Sequence, residues 1–162
     1  MKKHTIAVLV ENKPGVLSRV SGLFSRRGFN IHSLAVGTTE DEAVSRMTIV
    51  VDGDDDILEQ IVKQLYKLID VIKVYELSNT PAVDRELVLI KVAANEKTRP
   101  ELTQIADIFR ARIVDLGENA LMIEATGDTA KIDAIEKMVE KYGIREMVRT
   151  GKISLARSDE TK

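Results

Sequence analysis

The sequence predicts an α+β protein of two tandem βαββαβ modules. Three observations predict it. Apolar segments over residues 5–77 alternate in the order strand, helix, two strands, helix, strand. The same order returns over residues 86–156, beyond a short polar stretch, Ser78-Asn79-Thr80-Pro81. The length of 162 residues suits one ordinary domain or two small ones.

Residues 5–10 (TIAVLV) are β-branched and apolar, which predicts a buried strand. Pro14 fits the first position of a helix, where its missing N–H costs nothing. Val16, Leu17, Val20, Leu23 and Phe24 follow at helical spacing, and Gly28 stops the helix. Residues 30–38 predict a second strand, Thr39–Glu42 a polar turn, and residues 44–51 a third strand with Met47, Ile49 and Val51 on one face. Gly53-Asp54-Asp55-Asp56 opens a second helix, since carboxylates suit its positive end. Its stripe is Ile57, Ile61, Leu65 and Leu68, widened by Leu58, Val62 and Ile69. Residues 71–77 close the first module.

In the second module, residues 86–93 predict a strand, and Pro100 starts a helix carrying Leu102, Ile105, Ala106 and Phe109. Residues 112–116 and 120–125 pair across Gly117-Glu118-Asn119, a hairpin signal. Asp128 to Tyr142 predicts a helix with Ile132, Ile135, Met138 and Val139 inward and Gly143 as its stop. Residues 144–149 and 152–156 supply the last strands, and Ser158 to Lys162 a frayed, charged tail. The repeated order is the split βαβ pattern of ferredoxin-like folds. The boundaries are 1–78 and 82–162. Each module leaves a sheet face or edge to be covered, which points to a dimer.

Composition excludes several classes of function. The charge sum is 24 − 26 = −2, with no basic excess for general nucleic-acid binding. There is no cysteine, so no disulfide, thiolate metal site or cysteine nucleophile. Two histidines, His4 and His32, are too few for a three-histidine zinc site. No apolar run approaches a membrane span and no signal-peptide pattern is present, so the chain reads as cytoplasmic. Asp52, Asp54, Asp55 and Asp56 lack the alternating frame of a calcium loop. No nucleophile stands beside a base, and no Walker loop or G-x-G-x-x-G occurs.

The segment that carries chemistry is Asn12-Lys13-Pro14-Gly15-Val16-Leu17. A helix N-terminus offers free N–H groups and partial positive charge to a carboxylate or phosphate. Gly15 leaves the backbone open to a ligand, and the Asn12 amide both donates and accepts. The matching junction of the second module, Glu96 to Leu102, has Glu101 where the first has Gly15. That carboxylate answers the helix dipole and repels an incoming anion. Asn30 opens the second strand, at the far end from Asn12 in this topology. The two converge on one ligand only if the loop of one chain meets the second strand of another. Arg46 lies among apolar strand residues, its direction undecided by the sequence.

Residues 5–77, with ENKPGVLSRVSGLFSRRGFNIHSLAVG and VSRMTIVVDGD, resemble the regulatory small subunit of acetohydroxyacid synthase, also called acetolactate synthase. RELVLIKV, IFRARIVD and TGKISLAR extend the resemblance over nearly the whole chain. It implies that the first module is an ACT domain, a ligand-binding unit that pairs with itself. It implies that valine, the branched-chain end product, binds at the dimer interface and inhibits the catalytic large subunit. It also implies that thiamine diphosphate, magnesium and FAD belong to that large subunit, with no cofactor in this chain. By the same resemblance Asn12 and Gly15 belong to the effector loop and Asn30 is their partner across the dimer. Lys13, Pro14, Val16, Leu17 and Ile31 are its neighbours. Gly37 stands where some relatives carry another small residue.

Two other classes of function compete. A free-standing ACT-repeat sensor would act on another partner. A small ferredoxin-like hydrolase would need the arginine of an acylphosphatase loop, and residues 11–16 contain none.

Overall fold

A computed structural model describes residues 2–160, so Thr161 and Lys162 of the tail lie outside the described residues. The chain forms two compact units, residues to Val83 together with those from Lys152 onward, and Asp84–Gly151. No described helix is long and apolar enough to cross a membrane.

The first unit contains β1 (Lys2–Glu11), α1 (Val16–Arg26), β2 (Ile31–Thr38), β3 (Val44–Gly53), α2 (Asp55–Leu65) and β4 (Val71–Glu76). The antiparallel sheet has the order β2-β3-β1-β4. In register, Ile6 faces Ile49 and Val8 faces both Met47 and Val74. Alternate residues of the central strands, Ile6, Val8, Val10, Met47, Ile49 and Val51, meet Val20, Leu23 and Phe24 of α1 and Leu58, Ile61 and Leu65 of α2 in one core. β1 extends beyond the apolar run at 5–10 because the ladder continues, with Lys3 opposite Asp52.

Two expectations fail here for local reasons. Pro14 does not begin α1. Lys13 to Val16 make a tight turn, in which the Val16 N–H reaches Lys13 O at 3.4 Å and Gly15 takes φ 85°. Proline followed by a glycine at positive φ is the middle of a type II turn. Ile69 is 94 % exposed and widens no stripe, because α2 ends at Leu65 and residues 66–70 turn toward β4.

The other face of this sheet is also buried at Ala7, Thr48 and Val50. The C-terminal segment lies on that face. Lys152 N–H donates to Ser33 Oγ at 3.2 Å, and Arg46 Nη2 donates to Ser154 O at 2.9 Å. The strand after Gly151, β9 (Ile153–Ala156), thus belongs with the first unit, where Arg157 N–H also donates to Pro81 O at 2.9 Å. Arg46 further stacks over Tyr75 with its guanidinium carbon 5.4 Å from the ring centre. Burial holds its pKa below the ordinary value, against an opposing pull from Tyr75. Arg46→Ala is expected to cost about 1–3 kcal/mol through the lost charged hydrogen bond and ring contact. Faster amide exchange at residues 153–156 than elsewhere would register the loosened segment. Unchanged exchange there would contradict the tie.

The second unit repeats the order with β5 (Ala82–Ala93), α3 (Arg99–Ile108), β6 (Arg112–Leu116), β7 (Ala120–Gly127), α4 (Thr129–Glu140) and β8 (Ile144–Arg149), in sheet order β6-β7-β5-β8. The expected hairpin forms with Leu116 opposite Leu121. Val88, Ile90 and Val92 pack with Leu121, Ile123, Leu102, Ile132, Ile135 and Val139. Phe109 packs against this core from just past the end of α3. Met138 departs from the expectation, being 47 % exposed, because Ile135 and Val139 already fill the inward stripe of α4.

Candidate functional site

The N-termini of the four helices separate one candidate from the rest. Asp54 caps α2 by accepting from Ile57 N, and Asp128 caps α4 by accepting from Lys131 N. At α3 the Asn95 side chain accepts from both Lys97 N and Thr98 N, and the Asn95 carbonyl from Arg99 N. Pro100 has no N–H to offer, and Glu101 brings a carboxylate to the first turn. The Glu101 carboxylate therefore disfavours an anion at the start of α3.

α1 is different. Its N-cap, Gly15, makes no side-chain cap, and no acidic residue stands in its first turn. Among the described residues, the N–H groups of Gly15, Leu17 and Ser18 find no acceptor, while Val16 N–H is turned back to Lys13 O. Unpaired donors at the positive end of a helix dipole are chemically suited to an anion. The uncapped start falls at Gly15, the residue that the sequence singles out. The turn takes the Val16 N–H away from the free N–H groups expected at a helix start. The Val16 side chain is in the core, whereas Asn12, Lys13, Pro14 and Gly15 are exposed in the loop and Leu17 is exposed on the first turn of α1.

Asn12 Nδ2 donates to Glu42 O at 2.9 Å, which orients the amide and leaves Oδ1 as an acceptor. Lys13 pairs with Glu11 at 2.8 Å, and the hydrogen bond to that carboxylate holds the lysine pKa above its ordinary value. Arg19, one turn into α1, donates from Nε to the largely buried Asp70 carboxylate at 2.8 Å. Asp70 O in turn accepts from Glu11 N at 2.9 Å. The guanidinium lies so close to the loop that a Cβ on Gly15 would stand 2.9 Å from Arg19 Nη1. Arg19 was legible as a residue one turn after Gly15. Asp70 was not, because its place beside α1 comes from the α2–β4 turn.

Asn30 sits at the other end of the sheet. Its Nδ2 donates to Asp52 Oδ2 at 3.1 Å, leaving Oδ1 as an acceptor next to a carboxylate. Asp52 is opposite Lys3 at the start of β1, while Asn12 follows the end of β1 at Glu11. Eight strand steps at about 3.3 Å separate the two ends by roughly 26 Å. Asn12 and Asn30 of one chain do not converge. Ile31, next to Asn30, packs on the core. Asp52 had no sequence signal beyond its place in an acidic run.

The histidines are apart. His4 is fully buried with no hydrogen bond at either ring nitrogen, and its Nε2 is 3.7 Å from Asp55 Oδ1. His32 is exposed, with Nε2 3.2 Å from Lys3 Nζ. Among the described residues no three histidine, cysteine or carboxylate side chains are grouped to hold a metal ion.

The chain matches the family described as "AHAS small subunit-like ACT domain" over residues 6–73 and the family described as "Small subunit of acetolactate synthase" over residues 85–158. It is 57 % identical over 157 residues to a probable acetolactate synthase small subunit of Archaeoglobus fulgidus, covering 97 % of this chain and 98 % of that one. It is 55 % identical over 154 residues to the acetolactate synthase small subunit of Mycolicibacterium smegmatis, covering 95 % and 91 %. The crystal structure of the small subunit from Thermotoga maritima superposes with a TM-score of 0.89 at 40 % identity, covering 99 % of this chain and all of that one.

Proposed function

Because this chain belongs to the acetolactate synthase small-subunit family, we propose that it makes the catalytic large subunit responsive to valine. It is a regulatory, non-catalytic subunit, and the thiamine diphosphate, magnesium and FAD of the reaction belong to the large subunit. The domain read at 1–78 binds the effector and dimerises, and the ferredoxin-like domain read at 82–162, apart from the last strand that lies with the first unit, supports the inhibited assembly. The pair works in the cytoplasm, in branched-chain amino-acid biosynthesis.

The observation that carries this reading is the uncapped start of α1. It has neither a side-chain cap nor a carboxylate in its first turn, whereas α2 and α4 are capped by Asp54 and Asp128 and α3 carries Glu101 in its first turn. Valine's carboxylate sits on Gly15 and Leu17 N–H, with the Arg19 guanidinium nearby. Its ammonium meets Asn30 Oδ1 and Asp52 of the neighbouring chain, and its isopropyl group lies against Leu17 and Ile31. Two chains are needed because the Asn12 and Asn30 ends of one sheet are far apart. Feedback then follows as linkage: valine stabilises the arrangement that binds it, and the large subunit is less active in that arrangement.

The test is to assay the two chains apart and mixed. The small chain alone should condense no pyruvate, should raise the activity of its large subunit, and should make that activity fall with added valine. Activity in the small chain alone, or no effect of mixing, would refute the reading. Activation without valine sensitivity would remove the effector and keep the partner. A free-standing sensor would leave synthase activity unchanged.

A further inference from the structure

A pocket, wholly within the second unit, lies where β5 leads toward α3, the counterpart of the loop between β1 and α1. It is open to solvent, with a volume of about 360 Å³. That volume is in the range of small-molecule sites and holds about a dozen waters. Its walls combine the small side chains of Ala93 and Ala94, the ring of Tyr142, the amides of Asn95 and Asn119, and the guanidinium of Arg145.

The polar groups are placed for a guest. Arg145 makes no hydrogen bond or ion pair with any described residue. Asn119 uses its backbone carbonyl on Ala94 N at 3.0 Å, and its side-chain amide has no partner among the described residues. Asn95 spends its Oδ1 on Lys97 N and Thr98 N, which turns its NH2 outward as a donor. The walls thus carry one cation, two amide groups and no carboxylate. The nearby carboxylate, Glu101, is taken by the Tyr142 hydroxyl, which donates to Oε2 at 2.8 Å. Glu101 itself is not among the lining residues, and its carboxylate is bound by Tyr142, which is.

We propose that this cavity is a binding site for a small organic carboxylate with a short apolar body, held by the Arg145 guanidinium and the Asn95 and Asn119 amides. The planar fork of arginine matches a carboxylate in two parallel hydrogen bonds. A single positive charge balances a monoanion, whereas phosphate carries about −1.5 to −2 at neutral pH and is left half-compensated. Ala93, Ala94 and the face of Tyr142 leave room for a few apolar carbons. The site is distinct from the start of α1, since it uses side chains where α1 offers backbone N–H groups.

The experiment titrates isobutyrate, and separately inorganic phosphate, into the isotopically labelled full chain and follows backbone amide shifts. Isobutyrate should give saturable shifts at Ala94, Asn95 and Asn119. Arg145→Gln should weaken that binding by about tenfold or more, the worth of a charge-assisted pair. Arg145→Lys, which keeps the charge and loses the fork, should fall between them. Unchanged amide positions away from the cavity in the variants would show that the unit still folds. If a variant does not fold, Asn119→Ala, which removes an exposed amide, should show the same direction of loss. Absence of saturable shifts, equal affinity in Arg145→Gln, saturation by phosphate alone, or isobutyrate shifts confined to Gly15 and Leu17 would each overturn the proposal.

Discussion

Replacing Gly15 with aspartate is expected to raise the valine concentration needed to inhibit the reconstituted synthase by about tenfold to over a hundredfold, the equivalent of one charge-assisted hydrogen bond. Gly15 holds φ 85°, a conformation that other residues adopt with strain. The added side chain is forced toward Arg19 Nη1, which lies 2.9 Å from the position of the new Cβ. Its carboxylate then occupies the space and the positive potential proposed for the effector. Asn30→His tests the other end. It replaces the amide that donates to Asp52 at 3.1 Å with a bulkier ring that, when protonated, has no acceptor for an ammonium. Both residues are exposed, so dimerisation and activation of the large subunit should survive. The readout is valine inhibition of the mixed enzyme with each variant. If both stay as sensitive as the parent, the effector is elsewhere.

Arg149→Leu is expected to destabilise the second unit by about 3–5 kcal/mol. Glu86 has only 5 % of its side chain exposed, and Arg149 Nε meets its Oε1 at 2.5 Å. Asp133 at 2.8 Å and Glu136 at 3.5 Å share the same guanidinium. Burial alone lowers the Arg149 pKa, and the hydrogen bonds to Glu86 and Asp133 outweigh it and raise it. Removing the arginine leaves a buried carboxylate with only the Thr129 hydroxyl, 3.3 Å away, and two other carboxylates nearby. Urea unfolding measures the loss. The double variant Glu86→Gln with Arg149→Leu should recover most of it, because the unpaired charge is the expensive part. A loss below about 1 kcal/mol in the single variant would show that water reaches Glu86 more freely than its burial implies.

Much of the candidate site was legible because its logic is local. Pro14-Gly15 before an apolar helical stripe marks a helix start without a Cβ in the way, and the absence of an acidic residue in that first turn can be read directly. The position of Asn30 at the far end of the sheet follows from counting strands. What could not be read was which N–H groups are spare. The sequence suggests a helix beginning at Pro14, whereas the turn closes on Val16 and leaves Gly15, Leu17 and Ser18 unpaired. A turn and a first helical turn use the same residues and differ by a single hydrogen bond, so only the folded backbone separates them. The start of α3 was read from Glu101, yet the turn that leads into it is held by Asn95, through an Asx turn that composition does not announce.

By itself the sequence determined the order of the elements, the two modules and their cores, because the periods of 2 and 3.6 are written into the apolar residues. It also determined the family, through long runs of specific residues in both halves. The tertiary structure decided what depends on distant partners. Asp70 reaches Arg19 across a turn, and Asp52 reaches Asn30 across a strand pair. Arg46 is tied to Ser154, which is more than a hundred residues away, so the last strand lies with the first unit. The buried Glu86 answers Arg149 from the opposite edge of its module's chain. Polar residues carry no period, so nothing along the chain marks their partners. Their place is set by where packing of the apolar residues leaves them, and for that reason the site's electrostatics belong to the fold more than to the sequence.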